Sequence, residues 1–220
     1  MTVRPGQSWG TEASGPPDFE VTGGDRTLAD ALGRGLTDPL VRFSAAAGSD
    51  LARAVGLVAG AEPTGMALPL DVLTVAGSAT MQAVNSIVIG VTPDRLRSWH
   101  RPAGLSVEID GASVDATQAT SLVVMNGQYL RGLDVSPRGH PGDGVAEAQL
   151  YALPPGARRA MRTRLATGAH VPHPAITIRR ARRIVVRASR PADLEVDGAP
   201  AGQISDLEIA LRPAAYRLLV

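Results

Sequence analysis

The pentapeptide Gly23-Gly24-Asp25-Arg26-Thr27 lies between an apolar stretch ending at Val21 and a helical run from Leu28 to Leu36. A strand that stops at two glycines and restarts as a helix brings backbone N–H groups and the positive helix end to one point, where a phosphate can sit. In such a loop Asp25 is placed to hold a magnesium ion or to orient a hydroxyl, and Thr27 to donate to a phosphate oxygen. Arg26 stands where a tight phosphate loop needs no side chain. The same residues also read as a plain strand–turn–helix junction, because Gly-Gly-Asp is a common turn and helix N-termini favour Asp and Thr.

Other chemistries are excluded by residue type. All 22 basic residues are Arg, so a Schiff-base or phosphate-loop lysine is ruled out. The absence of Cys removes disulfides, thiol nucleophiles and thiolate-ligated zinc. His170 and His173 have a spacing that suits metal binding on a helix, but Pro172 and Pro174 forbid a helix there. His100 beside Trp99 is isolated, and His140 precedes Asp143. A formal net charge of +1 gives no global field for nucleic acid. Neither an apolar N-terminal signal region nor a membrane-length apolar window is present, so a soluble cytoplasmic protein is expected.

The elements that must position the loop follow from periodicity. Residues 1–17, rich in Gly and Pro, read as a disordered leader. A strand at Phe19–Val21, a helix at Thr27–Gly35, a strand at Leu40–Phe43 and a helix at Ser49–Val55 form a β-α-β-α unit, the grammar of a parallel sheet. Beyond Pro63 the pattern changes to β-rich runs at Leu70–Val75, Ala83–Val91, Leu105–Ile109, Ser121–Asn126, Ala146–Ala152, Ile176–Ile178, Arg183–Ala188, Leu194–Val196, Leu207–Leu211 and Tyr216–Val220. Turns such as Asp110-Gly111 and Asp197-Gly198 separate them, which predicts an antiparallel sandwich or barrel. One helix from Pro155 to about Thr167 interrupts it, with Arg158, Arg159, Arg162 and Arg164 forming a basic, solvated face; a peripheral membrane contact is the second reading, for which the helix has few large apolar residues to insert. The expected fold is therefore a shortened parallel α/β part at 18–68, followed by a β-sandwich at 69–220 with one inserted helix.

The order of these elements and motifs resembles the diacylglycerol kinase and sphingosine kinase-like lipid kinases of the NAD kinase-like superfamily. Gly23, Gly24, Asp25 and Thr27 match that family's Gly-Gly-Asp-Gly-Thr loop, and Arg26 does not. In the segment Ser44-Ala45-Ala46-Ala47-Gly48-Ser49-Asp50-Leu51-Ala52, Asp50 and Ala52 match the family's second loop, while Ser44, Ala46, Ala47 and Ser49 replace its Pro, Gly, Thr and Asn. Val123-Val124-Met125-Asn126 with Tyr129 and Gly132 is similar to the family's strand ending in Asn. Ser136-Pro137 leading to Asp143-Gly144 resembles its Asp-Asp-Gly segment, with Gly142 in place of the first Asp. Asp197-Gly198 resembles its Asp-Gly-Glu turn, with Ala199 replacing the acid. Each Asp-Gly pair also reads simply as a hairpin turn.

The resemblance implies transfer of the γ-phosphoryl of ATP to a lipid hydroxyl. Gly23, Gly24, Arg26, Thr27, Gly48 and Asp50 would line the nucleotide site, and Asp25 would lie near the phosphates and Mg. Asp143 and Glu147 would activate the hydroxyl, Asp143 also holding a metal, and Asn126 and Tyr129 would face the lipid. The family carries a further β-α unit before its glycine loop, so a cleft open on one side is expected. Arg26, Ala46, Ala47 and Gly142 all depart in the direction of lost function: Arg at a position needing positive φ would be strained or would obstruct the site, or alternatively would fold over the phosphates as a cation. The expectation is a lipid kinase relative with phosphoryl transfer weak or lost and with binding of a lipid or small apolar ligand retained. The alternatives are an active ATP-dependent lipid kinase whose missing N-terminal element is supplied by a partner or a second copy, as in a homodimer, or a regulatory subunit pairing through sheet edges with an intact kinase.

Overall fold

The computed structural model describes residues 9–58, 60, 62–77 and 80–220; the part of the expected leader at residues 1–8 lies outside them. The chain is ordered earlier than expected. Thr11–Glu12 (β1) pairs antiparallel with Ala67 and Met66, and Trp9 packs into the core beside Phe19 and Leu68. The polar composition that suggested a leader is accommodated because a two-residue edge strand needs main-chain partners rather than an apolar face.

Phe19–Gly23 (β2), Asp25–Leu32 (α1), Leu40–Ala45 (β3) and Asp50–Val55 (α2) follow the expected alternation. Helix α1 begins at Asp25, two residues before the expected Thr27, and buries Leu28, Ala29, Ala31 and Leu32. Helix α2 is delimited by chemistry legible in the sequence: Ser49 accepts from the Ala52 N–H as N-cap, and Gly56 (φ 75°) closes the C-terminus in the left-handed region. Strands β2 and β3 are parallel.

The remaining elements are Met66–Ala76 (β4), Thr80–Ala83 (β5), Ser86–Gly90 (β6), Leu105–Ile109 (β7), Ala112–Val114 (β8), Ser121–Met125 (β9), Tyr129–Leu130 (β10), Leu133–Asp134 (β11), Ala146–Tyr151 (β12), Arg158–Leu165 (α3), Ile176–Ala181 (β13), Arg183–Val196 (β14) and Ala199–Leu219 (β15). The expected strand Ala83–Val91 is two, broken at Val84-Asn85, whose N–H groups bond to the Asp197 carboxylate instead of a ladder. The two expected strands at 207–211 and 216–220 are parts of β15, separated by a bulge between Arg212 and Tyr216 where Ala214 has φ 45°. The long helix shortens to a 3-10 turn at Pro155–Ala157 and then α3.

β15 organises the molecule. It pairs antiparallel with β14 and β4, and its end, Arg217–Leu219, pairs parallel with Leu40–Arg42 of β3. The α/β part and the sandwich therefore share one hydrogen-bonded sheet. One apolar core fills the sandwich around Ile87, Leu122, Val186 and Ile209. A second lies between α1, α2 and the β2–β3–β15–β4 surface around Leu28, Leu51, Leu70 and Tyr216, and a third lies under α3 around Met161, Leu165 and Tyr151. No helix among the described residues is long and apolar enough to cross a membrane.

Candidate functional site

The end of β2 and the start of α1 are packed through Gly23. Its φ is 149°, and a Cβ there would lie 2.7 Å from Thr27 Oγ1, so the hydroxyl occupies the space a side chain would take. Gly24 is extended and gives α1 no side-chain cap, which leaves the first N–H groups of the helix without a side-chain acceptor. The Ala46 N–H donates to Gly23 O at 2.7 Å and draws the second loop against the first.

Asp25 is where the sequence reading and the geometry part. Its side chain is buried and turned away from the helix it opens, accepting from Ser49 Oγ, from Asp50 N at 3.0 Å and from Leu51 N at 3.1 Å. It thus satisfies the first N–H groups of α2, a capping role carried out from another element. Burial pushes its pKa up, more than these donors pull it down, and the nearby charge of Asp50 adds to the rise.

Asp50 continues the chain of caps. Its two oxygens accept from Arg131 N at 2.6 Å and Gly132 N at 2.7 Å, the turn residues between β10 and β11, which have φ 53° and 73°. Arg53 lies with its guanidinium 4.3 Å from the centre of the Tyr129 ring and donates to Gly132 O at 2.9 Å. Tyr129 is therefore covered on one face by a cation of α2. The Arg131 guanidinium in turn engages Asp94 and Glu195.

Asp197-Gly198 forms the expected hairpin turn, with Val196 opposite Ala199. It does more than turn: the Asp197 carboxylate accepts from the N–H groups of Val84, Asn85 and Ser86, each at 2.9 Å. Burial pushes its pKa up to about 7 against those three donors. Gly24, Asp25, Arg26, Ala47, Gly48, Ser49, Asp50, Arg131, Asp197 and Gly198 line one small pocket of about 280 Å³. Of the residues expected on the nucleotide side, Gly24, Arg26, Gly48 and Asp50 thus meet at this pocket, and Gly23 and Thr27 are not part of its lining.

Arg26 carries no backbone strain. Because α1 starts at Asp25, Arg26 lies in the helix rather than in a glycine-only conformation. Its guanidinium pairs with Asp30 one turn on, at 2.7 Å, and is directed along the helix.

Asp143 and Glu147 line a separate cleft of about 330 Å³ with Met125, Arg138, Ile178 and Arg180. Asp143 is ion-paired with Arg180 at 2.6 Å and accepts from Val145 N. Glu147 accepts from Ser136 Oγ at 2.8 Å and Gln149 Nε2 at 2.6 Å. Asn126 reaches neither opening. It is 1% exposed and its amide donates to Asp71 O and Val84 O, so the expected substrate contact is replaced by a tie between strands. Gly142 is also accounted for by packing: a Cβ there would lie 2.6 Å from Pro69 O.

Gly24 and Gly48 share their pocket with Arg26 and Arg131 and with three carboxyls, Asp25, Asp50 and Asp197. A magnesium ion is not matched by the side chains: Asp25 and Asp50 are committed to N–H groups, and among the described residues no group of three or more His, Asp or Glu is arranged to hold a metal. Residues that sequence reasoning passed over are Asp71 and Arg131. Asp71, 1% exposed inside β4, accepts from Gly144 N at 2.7 Å and Ala214 N at 2.8 Å, and burial pushes its pKa up to about 6. A charged residue inside the apolar run Leu70–Val75 was the available signal.

Residues 72–220 match the YegS C-terminal NAD kinase beta sandwich-like domain. The fold is similar to a diacylglycerol kinase from Bacillus anthracis str. Sterne, with a TM-score of 0.72, 18% identity, and coverage of 92% of this chain and 76% of that one. It is also similar to yeast NADH kinase complexed with NADH (TM-score 0.54, 14% identity, 92% and 61% covered). An NAD kinase from Archaeoglobus fulgidus in complex with ATP gives a TM-score of 0.50 at 15% identity, with 92% and 78% covered. A search of curated proteins found no match. With that match spanning more than half of its length, the chain belongs to the family defined by the YegS C-terminal NAD kinase beta sandwich-like domain, and its fold is that of the solved diacylglycerol kinase.

Proposed function

We propose that this chain is a lipid kinase-like protein in which phosphoryl transfer is weak or lost, and in which the cleft at Asp143 retains binding of a lipid or small apolar ligand. The observation that carries the first half is the commitment of Asp25 and Asp50 to the N–H groups of α2 and of the β10–β11 turn. Carboxylates that cap helices and turns are not free to gather a metal around a transferring phosphate. The second half is supported by the lining of the cleft, where the half-buried Val145 and Ile178 supply apolar surface beside Arg138 and Arg180.

A specific observation favours an active ATP-dependent lipid kinase as the second reading: the glycine loop, Gly48 and Arg131 do meet at one pocket. Calorimetric titration with ATP and Mg, run beside a phosphotransfer assay on diacylglycerol in mixed micelles, separates the two. The expected result is no lipid phosphorylation, with ATP binding absent or gained only in Arg26→Gly. Turnover abolished by Asp143→Asn would overturn the reading in favour of the kinase.

A further inference from the structure

Glu147, Gln149 and Tyr151 follow one another along one face of β12, because alternate residues of a strand point the same way. Tyr151 and Gln149 are fully buried, and the Tyr151 hydroxyl donates to Gln149 Oε1. The amide nitrogen of Gln149 then faces two acceptors, Val135 O at 2.8 Å and Glu147 Oε1 at 2.6 Å. Ser136 Oγ donates to the same Glu147 oxygen at 2.8 Å. One oxygen of Glu147 is thus fixed by two donors. The other, Oε2, accepts from no described residue, and Glu147 lines the Asp143 cleft.

Glu147 stands directly opposite Arg180 of β13 in the strand register. Opposite charges at such positions attract each other, yet these two form no ion pair among the described residues. Arg180 turns instead to Asp143 at 2.6 Å, while Glu147 is held by Ser136 and Gln149. A second cation enters from the loop. Arg138 is exposed, lines the cleft and forms no ion pair among the described residues. Its turn is firmly seated: Ser136 is buried, its N–H donates to Gln128 O at 2.9 Å, and Gly139 N donates to Ser136 O at 2.8 Å. The cleft therefore offers an unpaired guanidinium and an unshared carboxylate oxygen on fixed backbone. The formal charges of Arg138, Arg180, Asp143 and Glu147 cancel, so a ligand carrying both signs is matched better than one carrying a single sign.

We propose that the Asp143 cleft takes a small zwitterion of the phosphoethanolamine type, with its phosphate on Arg138 and its ammonium on Glu147 Oε2. The planar fork of a guanidinium matches phosphate oxygens, and an ammonium brings N–H donors to a carboxylate oxygen that has none. At about 330 Å³ the cleft lies at the small end of ligand pockets, which suits a headgroup rather than a pair of acyl chains. The inference rests on the reading of this cleft as a ligand site and narrows the ligand to that headgroup chemistry, free or at the end of a lipid.

The test is calorimetric titration of the full chain with O-phosphoethanolamine, with phosphocholine, whose quaternary ammonium has no N–H to donate, and with uncharged monooctanoylglycerol. The expected result is saturable binding of phosphoethanolamine, with phosphocholine about 10-fold weaker or more. Arg138→Gln and Glu147→Gln should each weaken phosphoethanolamine binding by roughly 10- to 100-fold. Arg138 is exposed, so its replacement keeps the test open should Glu147→Gln fail to fold. Competition by phosphatidylethanolamine in nanodiscs assigns the ligand to a lipid headgroup, and its absence assigns a free phosphoester; the site stands in both cases. The proposal is overturned if phosphoethanolamine does not bind saturably, if phosphocholine binds equally well, or if both variants bind as the unmodified chain does. Binding of monooctanoylglycerol alone overturns the zwitterion and leaves the ligand cleft standing, whereas binding of no probe removes both.

Discussion

Replacing Asp71 by Asn should flatten the pH dependence of stability by a calculable amount. Asp71 is enclosed, and burial raises its carboxyl from an ordinary 3.8 to about 6 despite the Gly144 and Ala214 N–H donors. A folded value above the unfolded one means that the native state binds the extra proton. The contribution is therefore fully present below 3.8 and is lost as pH rises through about 6. Between about pH 4.5 and pH 7.5 the loss comes to about 2 kcal/mol. For a chain of this length that corresponds to roughly 4–8 °C in Tm. Asn cannot titrate, and its amide faces one of the two N–H donors, adding a cost of about 1–3 kcal/mol that is the same at both pH values. The quantity to measure is the difference of differences: Tm at the two pH values for each protein, by calorimetry, in buffers of matched ionic strength. Shifts at Asp197, His140 and His170 cancel in that comparison. An unchanged pH response in Asp71→Asn would refute the claim that enclosure raises the pKa of this carboxyl.

Asp50→Ala should destabilise the chain by about 2–4 kcal/mol, because the Arg131 and Gly132 N–H groups lose their acceptor; urea unfolding reads the change in midpoint. Gly142→Asp, which restores the family's acid, should cost about 1–3 kcal/mol and confer no lipid phosphorylation, since its Cβ would press on Pro69 O; thermal unfolding and the micelle assay check both parts. Arg26→Gly should lose about 1 kcal/mol of stability in thermal unfolding, for it places glycine inside α1 and removes the pair with Asp30.

The fold was readable where local chemistry leaves a sequence trace. Ser49 and Gly56 mark the ends of α2, and the Asp110-Gly111 and Asp197-Gly198 pairs mark hairpins, because each requirement is met within a few residues. The β1 strand was not readable, since what orders it is Met66–Ala67 far along the chain. The site shows the same division. That residues of the two loops lie together was implied by the family resemblance, whereas the direction of each carboxylate was not. Asp25 faces α2 and Asp50 faces the β10–β11 turn because those N–H groups, distant in sequence, lie unsatisfied beside them. Arg158 misled for a related reason: a cation one turn from Arg162 looks like surface until the carbonyls of residues 96–100 are brought against it.

The run of β15 through both halves has a consequence for the order in which the protein can be made. Strand β3 is flanked by β2, which leaves the ribosome early, and by Arg217–Leu219, which emerge late. Until those residues appear, one edge of β3 lacks its partner, although β2 and β3 can already pair with each other. Assembly from distant partners is slow, and an unpaired strand edge is open to mispairing until its partner arrives. A chaperone that shields an open strand edge would act on this half, and a lesion near Leu218 would be felt at Val41 rather than where it occurs.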